Sequence, residues 1–176
     1  WGEYRYGAGR PKNVFFVTVS SGIGGGLVRD GKVVTGNRGL SGSLGQMRMP
    51  DGRRLEETAS GFGISATAKA LGKPADTRAI FTAAEEGADW ALSIVGTACR
   101  ELANALINVQ ALVDPDAVIL AGGIGSLPLY RRTLQGYLEC VDDLFRPNVI
   151  PASLGKYAGA IGMADMALCR HRTVAA

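Results

Sequence analysis

Cysteine, histidine and concentrated charge are all scarce in this chain of 176 residues, which holds 3 Cys and 1 His. Cys99, Cys140 and Cys169 lie far apart, are odd in number and form no Cys-x-x-Cys pair. That speaks against a disulfide framework and a cysteine-based zinc site, and makes a reducing, cytoplasmic setting the default expectation. The net charge is +3, from 19 Lys+Arg against 16 Asp+Glu, and no basic block concentrates it, so this segment is expected to bind no nucleic acid. No uncharged apolar run approaches the roughly 20 residues of a membrane span. The opening Trp1-Gly2-Glu3-Tyr4-Arg5-Tyr6 lacks the apolar run and cleavage pattern of a secretory signal. With no initiator Met, the chain is expected to begin inside a longer protein.

Hydrophobic residues are plentiful at 47%, against 20% charged, so the chain can bury a core of one domain or one lobe. Glycine is the outlier, with 25 residues in short clusters and no collagen-like period. Clustered glycine marks places where backbone must come close to something.

Asn13 to Ser20 (NVFFVTVS) is β-branched and aromatic and reads as a buried strand ending at Ser21-Gly22-Ile23-Gly24-Gly25-Gly26. Two further apolar runs flank Asp30-Gly31, a pair that tolerates positive φ and predicts a tight antiparallel hairpin. Gly36 to Arg54 shows no apolar period and reads as a long, functional loop. A helical period follows through Leu55, Ala59, Ile64, Ala68 and Leu71, punctuated by Gly61-Phe62-Gly63. Thr77 to Glu86 reads as a short helix capped by Asp76 or Thr77. Ala88 to Val113 spaces Leu92, Val95, Cys99, Leu102, Leu106 and Val109 as one stripe, which predicts a long buried helix with Trp90 in the core. Asp116 to Ala121 is a strand entering Gly122-Gly123-Ile124-Gly125. A helix over Leu127 to Phe145, a short strand over Asn148 to Ala152 and a helix over Tyr157 to Cys169 complete the reading, with His171 and Arg172 in a solvated tail. The fold class is α/β: an antiparallel hairpin opening a mixed sheet packed by helices.

Two glycine clusters thus follow apolar strands. Such turns let backbone N–H groups approach phosphate without Cβ interference, or are simply tight turns. Neither is a P-loop, since no Gly-Lys-Ser/Thr follows, and neither has the acidic residue and βαβ context of a dinucleotide site. Glu85-Glu86 reads as a solvated helix end, because adjacent helical residues do not face each other.

The run Val17 to Gln46, VTVSSGIGGGLVRDGKVVTGNRGLSGSLGQ, resembles the phosphate loop and sugar-binding signature of ROK-family sugar kinases, with the N-acylmannosamine kinase branch most similar. The resemblance continues through Leu55-Glu56-Glu57-Thr58-Ala59-Ser60-Gly61 to Ala121-Gly122-Gly123-Ile124-Gly125, which looks like the family's adenosine segment. It implies an actin-like ATPase (ribonuclease H-like) fold, with residues 1–176 as the carboxy-terminal lobe and an amino-terminal lobe outside this chain. Sugar and ATP, the latter with Mg, would bind between the lobes. Ser21, Gly22, Gly24 and Gly25 would line the ATP phosphates, Gly122 and Gly123 the nucleoside, and Ser43, Gln46 and Glu56 the sugar. No catalytic residue is assigned, because in the family the base is an aspartate of an Asn-Asp segment just upstream of where this sequence opens. A homo-oligomer, in the first place a dimer, is expected.

This sequence departs from the family pattern at the sugar loop. The usual Ala-Gly-Glu-x-Gly-His is here Ser41-Gly42-Ser43-Leu44-Gly45-Gln46, so Ser43 replaces a sugar-binding carboxylate and Gln46 a zinc-ligand histidine. The family's cysteine-rich loop is reduced to Met49-Pro50-Asp51-Gly52-Arg53-Arg54, so no zinc is expected. Two other readings stand beside the kinase: the sugar-sensing lobe of a ROK-type transcriptional repressor, and a catalytically inactive relative. For Glu56 a plain helix first-turn carboxylate is the alternative.

Overall fold

The computed structural model describes residues 1–7 and 11–174, with side chains to residue 169. The His171 and Arg172 side chains, read above as a solvated tail, lie outside the described set. Five strands form one mixed sheet: β1 (Asn13–Val19), β2 (Ile23–Arg29), β3 (Lys32–Val34), β4 (Ala117–Ala121) and β5 (Val149–Pro151), in the order β3-β2-β1-β4-β5. β1 to β3 are antiparallel neighbours, whereas β4 and β5 run parallel to β1 and to each other. The expected β2–β3 hairpin is present. Asp30 (φ 48°) and Gly31 (φ 73°) both take positive φ between the paired Arg29 and Lys32, the backbone of a two-residue turn matched to strand twist. Every residue of β4 is buried, as a central parallel strand covered on both faces requires.

Among the described residues seven helices accompany the sheet: α1 (Gly2–Tyr6), α2 (Glu56–Ala59), α3 (Gly61–Ala70), α4 (Thr77–Glu85), α5 (Asp89–Val113), α6 (Pro128–Glu139) and α7 (Ala158–Val174). The short α1 was not foreseen. α5 is the spine, burying Ala91, Ile94, Val95, Ala98, Cys99, Leu102, Ala105, Leu106 and Val109 in the main core. Leu92 is not part of that stripe. It is 41% exposed, because Ala91 and Val95 occupy the inner face and leave position 92 turned away. Leu71 is likewise exposed, as the residue that caps α3 rather than its last buried turn. α5 ends at Asp114 in the left-handed region (φ 48°), the residue before Pro115 being barred from continuing the helix. α4 is capped by Asp76, whose carboxylate accepts from the Ala79 amide at 2.9 Å. Trp90 is partly buried against the core.

The helix expected over Leu127 to Phe145 stops at Glu139. Beyond it the Arg146 guanidinium donates to the carbonyls of Leu138, Glu139 and Val141, which serves the end of the helix without extending it. Tyr130 on α6 is fully buried, its hydroxyl donating to the Ala59 carbonyl at 3.4 Å, and this ties α6 to the α2–α3 junction. Burial pushes the Cys99 thiol far up, so it behaves as a small apolar core residue.

The long loop from Thr35 onward is ordered by its own contacts. It carries a 3-10 turn at Leu44–Gln46 and a bridge between Arg48 and Arg54. Leu44 and Met49 are buried, so two apolar anchors fasten an otherwise polar segment to the body.

Candidate functional site at the carboxyl ends of β1 and β4

β1 and β4 are parallel and adjacent, so their carboxyl ends open on the same side, and each is followed by one of the glycine clusters. A crevice outside the carboxyl ends of strands is where open α/β sheets bind ligands. The first cluster forms the turn Ser20-Ser21-Gly22, closed by the Ser20 amide donating to the Gly22 carbonyl at 2.9 Å. The start of α3 packs onto this turn. Gly61 and Phe62 amides donate to the Ser20 and Ser21 carbonyls at 2.8 and 3.1 Å, and Ser60 caps the helix by accepting from Gly63. The amides of Ser21 and Gly22 and both serine hydroxyls have no protein partner among the described residues, and both serines are exposed.

Gly24 and Gly25 sit differently. They lie within the β1–β2 ladder opposite Thr18 and Val17, away from the turn. A side chain on Gly25 would run into the Gly42 carbonyl, so this glycine lets the long loop lie against β2. The second cluster is also partly structural. Ile124 and Gly125 amides donate to the Val19 carbonyl at 3.0 and 3.1 Å, tying the turn to the end of β1. Gly122 holds φ 93° with its would-be Cβ against the Val19 backbone, whereas a Cβ on Gly123 would meet only the Ser20 hydroxyl, at an ordinary 3.9 Å. α6 begins only at Pro128, so this turn is not its N-terminus.

The two turns meet in a cleft of about 330 Å³ lined by Ser20, Ser21, Gly61, Phe62, Ser65, Asp76, Thr77, Gly123 and Ile124. Ser21 and Gly123, about 100 positions apart in sequence, are therefore brought together. Asp76, Ser65, Thr77 and the 74%-exposed Phe62 were not foreseen as part of this site. Their only sequence signals are the helix start at Gly61 and the cap at Asp76. A larger groove of about 550 Å³ between α6 and β5 contains none of these residues.

On the other side of the first turn stands Glu56. Its Oε2 accepts from the Ile23 amide at 3.3 Å, and its Oε1 from the Gln46 side-chain amide at 3.2 Å. A side chain on Gly22 would come within 2.9 Å of Oε2, so the bare turn leaves room for the carboxylate. α2, which begins at Glu56, is a single turn of four residues, and the two direct hydrogen bonds fix the side chain in place. Ser43 is exposed at the start of the 3-10 turn whose last residue is Gln46. Gln46 and Glu56 thus touch each other, and Ser43, which starts the turn that Gln46 ends, accepts through its carbonyl from the Gln46 backbone amide at 3.0 Å.

Arg54 joins this group from the end of the loop. Its guanidinium lies 3.3 Å from Gln46 Oε1, 3.6 Å from Glu56 Oε1 and 3.1 Å from Glu57 Oε1. Paired with it, the Glu57 carboxyl is held below its usual range and the guanidinium is pushed up. The sequence reading missed Arg54, which resembles any charged residue of a polar loop.

A mixed sheet of this order, with glycine turns at the carboxyl ends of two parallel strands and helices over the sheet, is that of the actin-like ATPase fold. The chain matches the ROK family over residues 1–170, and it belongs to that family. It is 44% identical over 170 residues to the bifunctional enzyme NanE/NanK of Brucella melitensis, covering 95% of this chain and 33% of that protein. It is 33% identical over 176 residues to the N-acetylmannosamine kinase of an Escherichia coli O139:H28 strain, covering 95% of this chain and 60% of that one. Among solved structures, it superposes with a TM-score of 0.75 and 28% identity on a ROK family glucokinase from Streptomyces griseus, in complex with glucose and AMPPNP, over 94% of this chain and 64% of that one. The chain therefore spans between a third and two thirds of the length of these relatives. No helix among the described residues is long and apolar enough to cross a membrane.

Proposed function

We propose that this chain is the carboxy-terminal lobe of a cytoplasmic ATP-dependent sugar kinase acting on an N-acylated hexose, with N-acylmannosamine the first candidate. The observation that carries the reading is the position of Glu56. One carboxylate, fixed through both oxygens, stands between the sugar-loop residue Gln46 and the free-amide turn Ser20-Ser21-Gly22. A phosphoryl-transfer site needs that adjacency, because the acceptor hydroxyl must lie in line with the phosphate it attacks.

In this reading the Ser21 and Gly22 amides and the serine hydroxyls donate to phosphate oxygens of Mg-ATP, and the cleft through Ser65, Asp76 and Gly123 takes the nucleoside. Mg²⁺ arrives with the nucleotide as part of the substrate. The Glu56 carboxylate and the Gln46 side chain bind sugar hydroxyls. The acceptor oxygen bonds to the γ-phosphorus as the bond to the β,γ-bridging oxygen breaks, and the hydroxyl proton passes to a carboxylate of the amino-terminal lobe. α1 and α7 support the second lobe. They pack on each other, Asp165 accepting from Trp1 at 2.6 Å and from Tyr6, and leave Tyr6, Met163 and Leu168 exposed. Such an apolar surface fits an interdomain contact.

In the full-length protein, Glu56→Ala is expected to lower kcat/KM for the sugar roughly 10- to 150-fold while the KM for ATP stays near the unmodified value, since a hydrogen bond to an ionised acceptor contributes about 1.5 to 3 kcal/mol. Steady-state kinetics with each substrate varied in turn decide it. Unchanged sugar dependence would refute the assignment. Ser43 leaves space where relatives carry a longer carboxylate, so Ser43→Glu should shift preference from N-acylated toward plain hexoses.

A further inference from the structure

The family resemblance implies a zinc ion held by a histidine at the position of Gln46 and by cysteines of the following loop. The residues present do not fit one. The Gln46 amide is engaged with Glu56 and Arg54, residues 47–54 include neither Cys nor His, and no metal-binding group of three His, Cys, Asp or Glu side chains exists among the described residues. The loop closes on itself by other means. Met49 and Arg53 bond through their backbones at 2.8 Å, and Asp51 pairs with Arg53 at 2.6 Å. Arg48 donates to the Gly52 carbonyl at 3.0 Å, and Met49 is anchored in the core. This closure delivers Arg54 to the edge of the sugar site.

There Arg54 is fixed at both ends by one carboxylate. Its backbone amide donates to Glu57 Oε2 at 2.7 Å and its guanidinium to Glu57 Oε1 at 3.1 Å. The free arm of the guanidinium points at Gln46 Oε1 and Glu56 Oε1. We propose that Arg54 is the positioning residue for Glu56, replacing a metal-ordered loop with a Glu57–Arg54–Gln46–Glu56 hydrogen-bonded relay that sets sugar affinity. The inference rests on Glu56 being the sugar acceptor. Arg54 orients the amide oxygen of Gln46, which turns the Gln46 NH₂ group toward Glu56. The carboxylate is thereby held at Oε1 from the loop and at Oε2 from the Ile23 amide, with its remaining lone pairs left for sugar hydroxyls.

The test uses the full-length protein, with N-acetylmannosamine binding measured by calorimetry alongside turnover. Arg54→Ala should weaken sugar binding and raise the sugar KM roughly 3- to 10-fold, with the ATP KM and melting temperature near the unmodified values, as expected for a half-exposed charged network. Arg54→Lys, which keeps the charge but not the fork, should recover part of the loss. In a Glu56→Ala background the same substitution should add almost nothing, because the group it orients is gone. Chelator treatment should leave sugar binding unchanged, and elemental analysis should find no stoichiometric zinc. An Arg54→Ala effect equal on sugar and ATP, or one that multiplies fully with Glu56→Ala, overturns the proposal, as does stoichiometric zinc. A protein that binds the sugar but transfers no phosphate refutes the kinase reading while still testing Arg54 through affinity. Failure to bind the sugar at all overturns both.

Discussion

The 176-residue chain assayed by itself is expected to show no sugar-dependent ADP release, even with circular dichroism confirming that its helices are formed. Glu56 stands beside the Ser20–Gly22 turn, and both its oxygens already accept hydrogen bonds, from Ile23 and Gln46. In the proposed reading it holds the sugar. In the proposed two-lobe kinase the proton acceptor and the opposite wall of the cleft come from the amino-terminal lobe. Losing a general base costs roughly 100- to 10,000-fold, and losing the positioning of two substrates costs more, so turnover should fall below detection. A coupled assay decides the matter: sugar-dependent turnover by this chain at a rate near that of the full-length protein would place the base within residues 1–176 and refute the lobe assignment. The same assay on the full-length protein is the positive control.

The largest expected effect on stability is at Gly122. Its φ of 93° is one that side-chain-bearing residues rarely adopt, and an added Cβ would collide with the Val19 carbonyl oxygen and lie 2.6 to 2.7 Å from the Val19 carbonyl carbon and amide nitrogen. Nothing there can give way cheaply. Val19 ends the central strand β1, and its carbonyl accepts from Ile124 and Gly125. Backbone strain alone costs about 1 to 3 kcal/mol, and displacing a central strand adds to it, against a total stability of roughly 5 to 15 kcal/mol. Gly122→Ala in the full-length protein should therefore lower the melting temperature by about 10 °C or more, or prevent soluble expression. Gly123→Ala is the control. Its Cβ meets only the Ser20 hydroxyl at 3.9 Å, so it should fold and melt much as the unmodified protein does. Equal melting of the two variants and the parent would show that the second turn is not packed on β1 as described.

These two neighbouring glycines also show how differently the site was legible. As letters, Gly122 and Gly123 are equivalent. The difference between a glycine that a strand end demands and one that leaves a cleft open exists only once β1 and β4 lie side by side. Gly24 and Gly25 repeat the lesson in reverse. They look like part of a phosphate turn, yet the pairing of Thr18 with Gly24 and Val17 with Gly25 puts them in the ladder. Register is a property of two strands and the turn between them, and the turn here closes at Gly22. Arg54 was invisible for a related reason: its pairing with Glu57, three residues on, is local, but its meaning lies in the loop folding Gln46 back against Arg54 and Glu56.

What the sequence by itself determined was local or periodic. Positive φ at Asp30-Gly31 follows from which residues tolerate it, a cap at Asp76 or Thr77 from side chains that can reach an amide two or three residues on, settled for Asp76 by the structure, and the buried α5 from apolar spacing every three or four positions. The motif from Val17 to Gln46, with Glu56 beyond it, was equally readable, because its residues are neighbours along the chain. Tertiary structure alone decided the parallel pairing of β1 with β4, the cleft that unites Ser21, Ser65, Asp76 and Gly123, and the return of Gln46 onto Arg54 and Glu56. Those contacts join residues whose separation in sequence carries no trace of their distance in space. They form because the sheet in this order buries its apolar residues in one core with α5, and that balance belongs to the whole chain rather than to any segment of it.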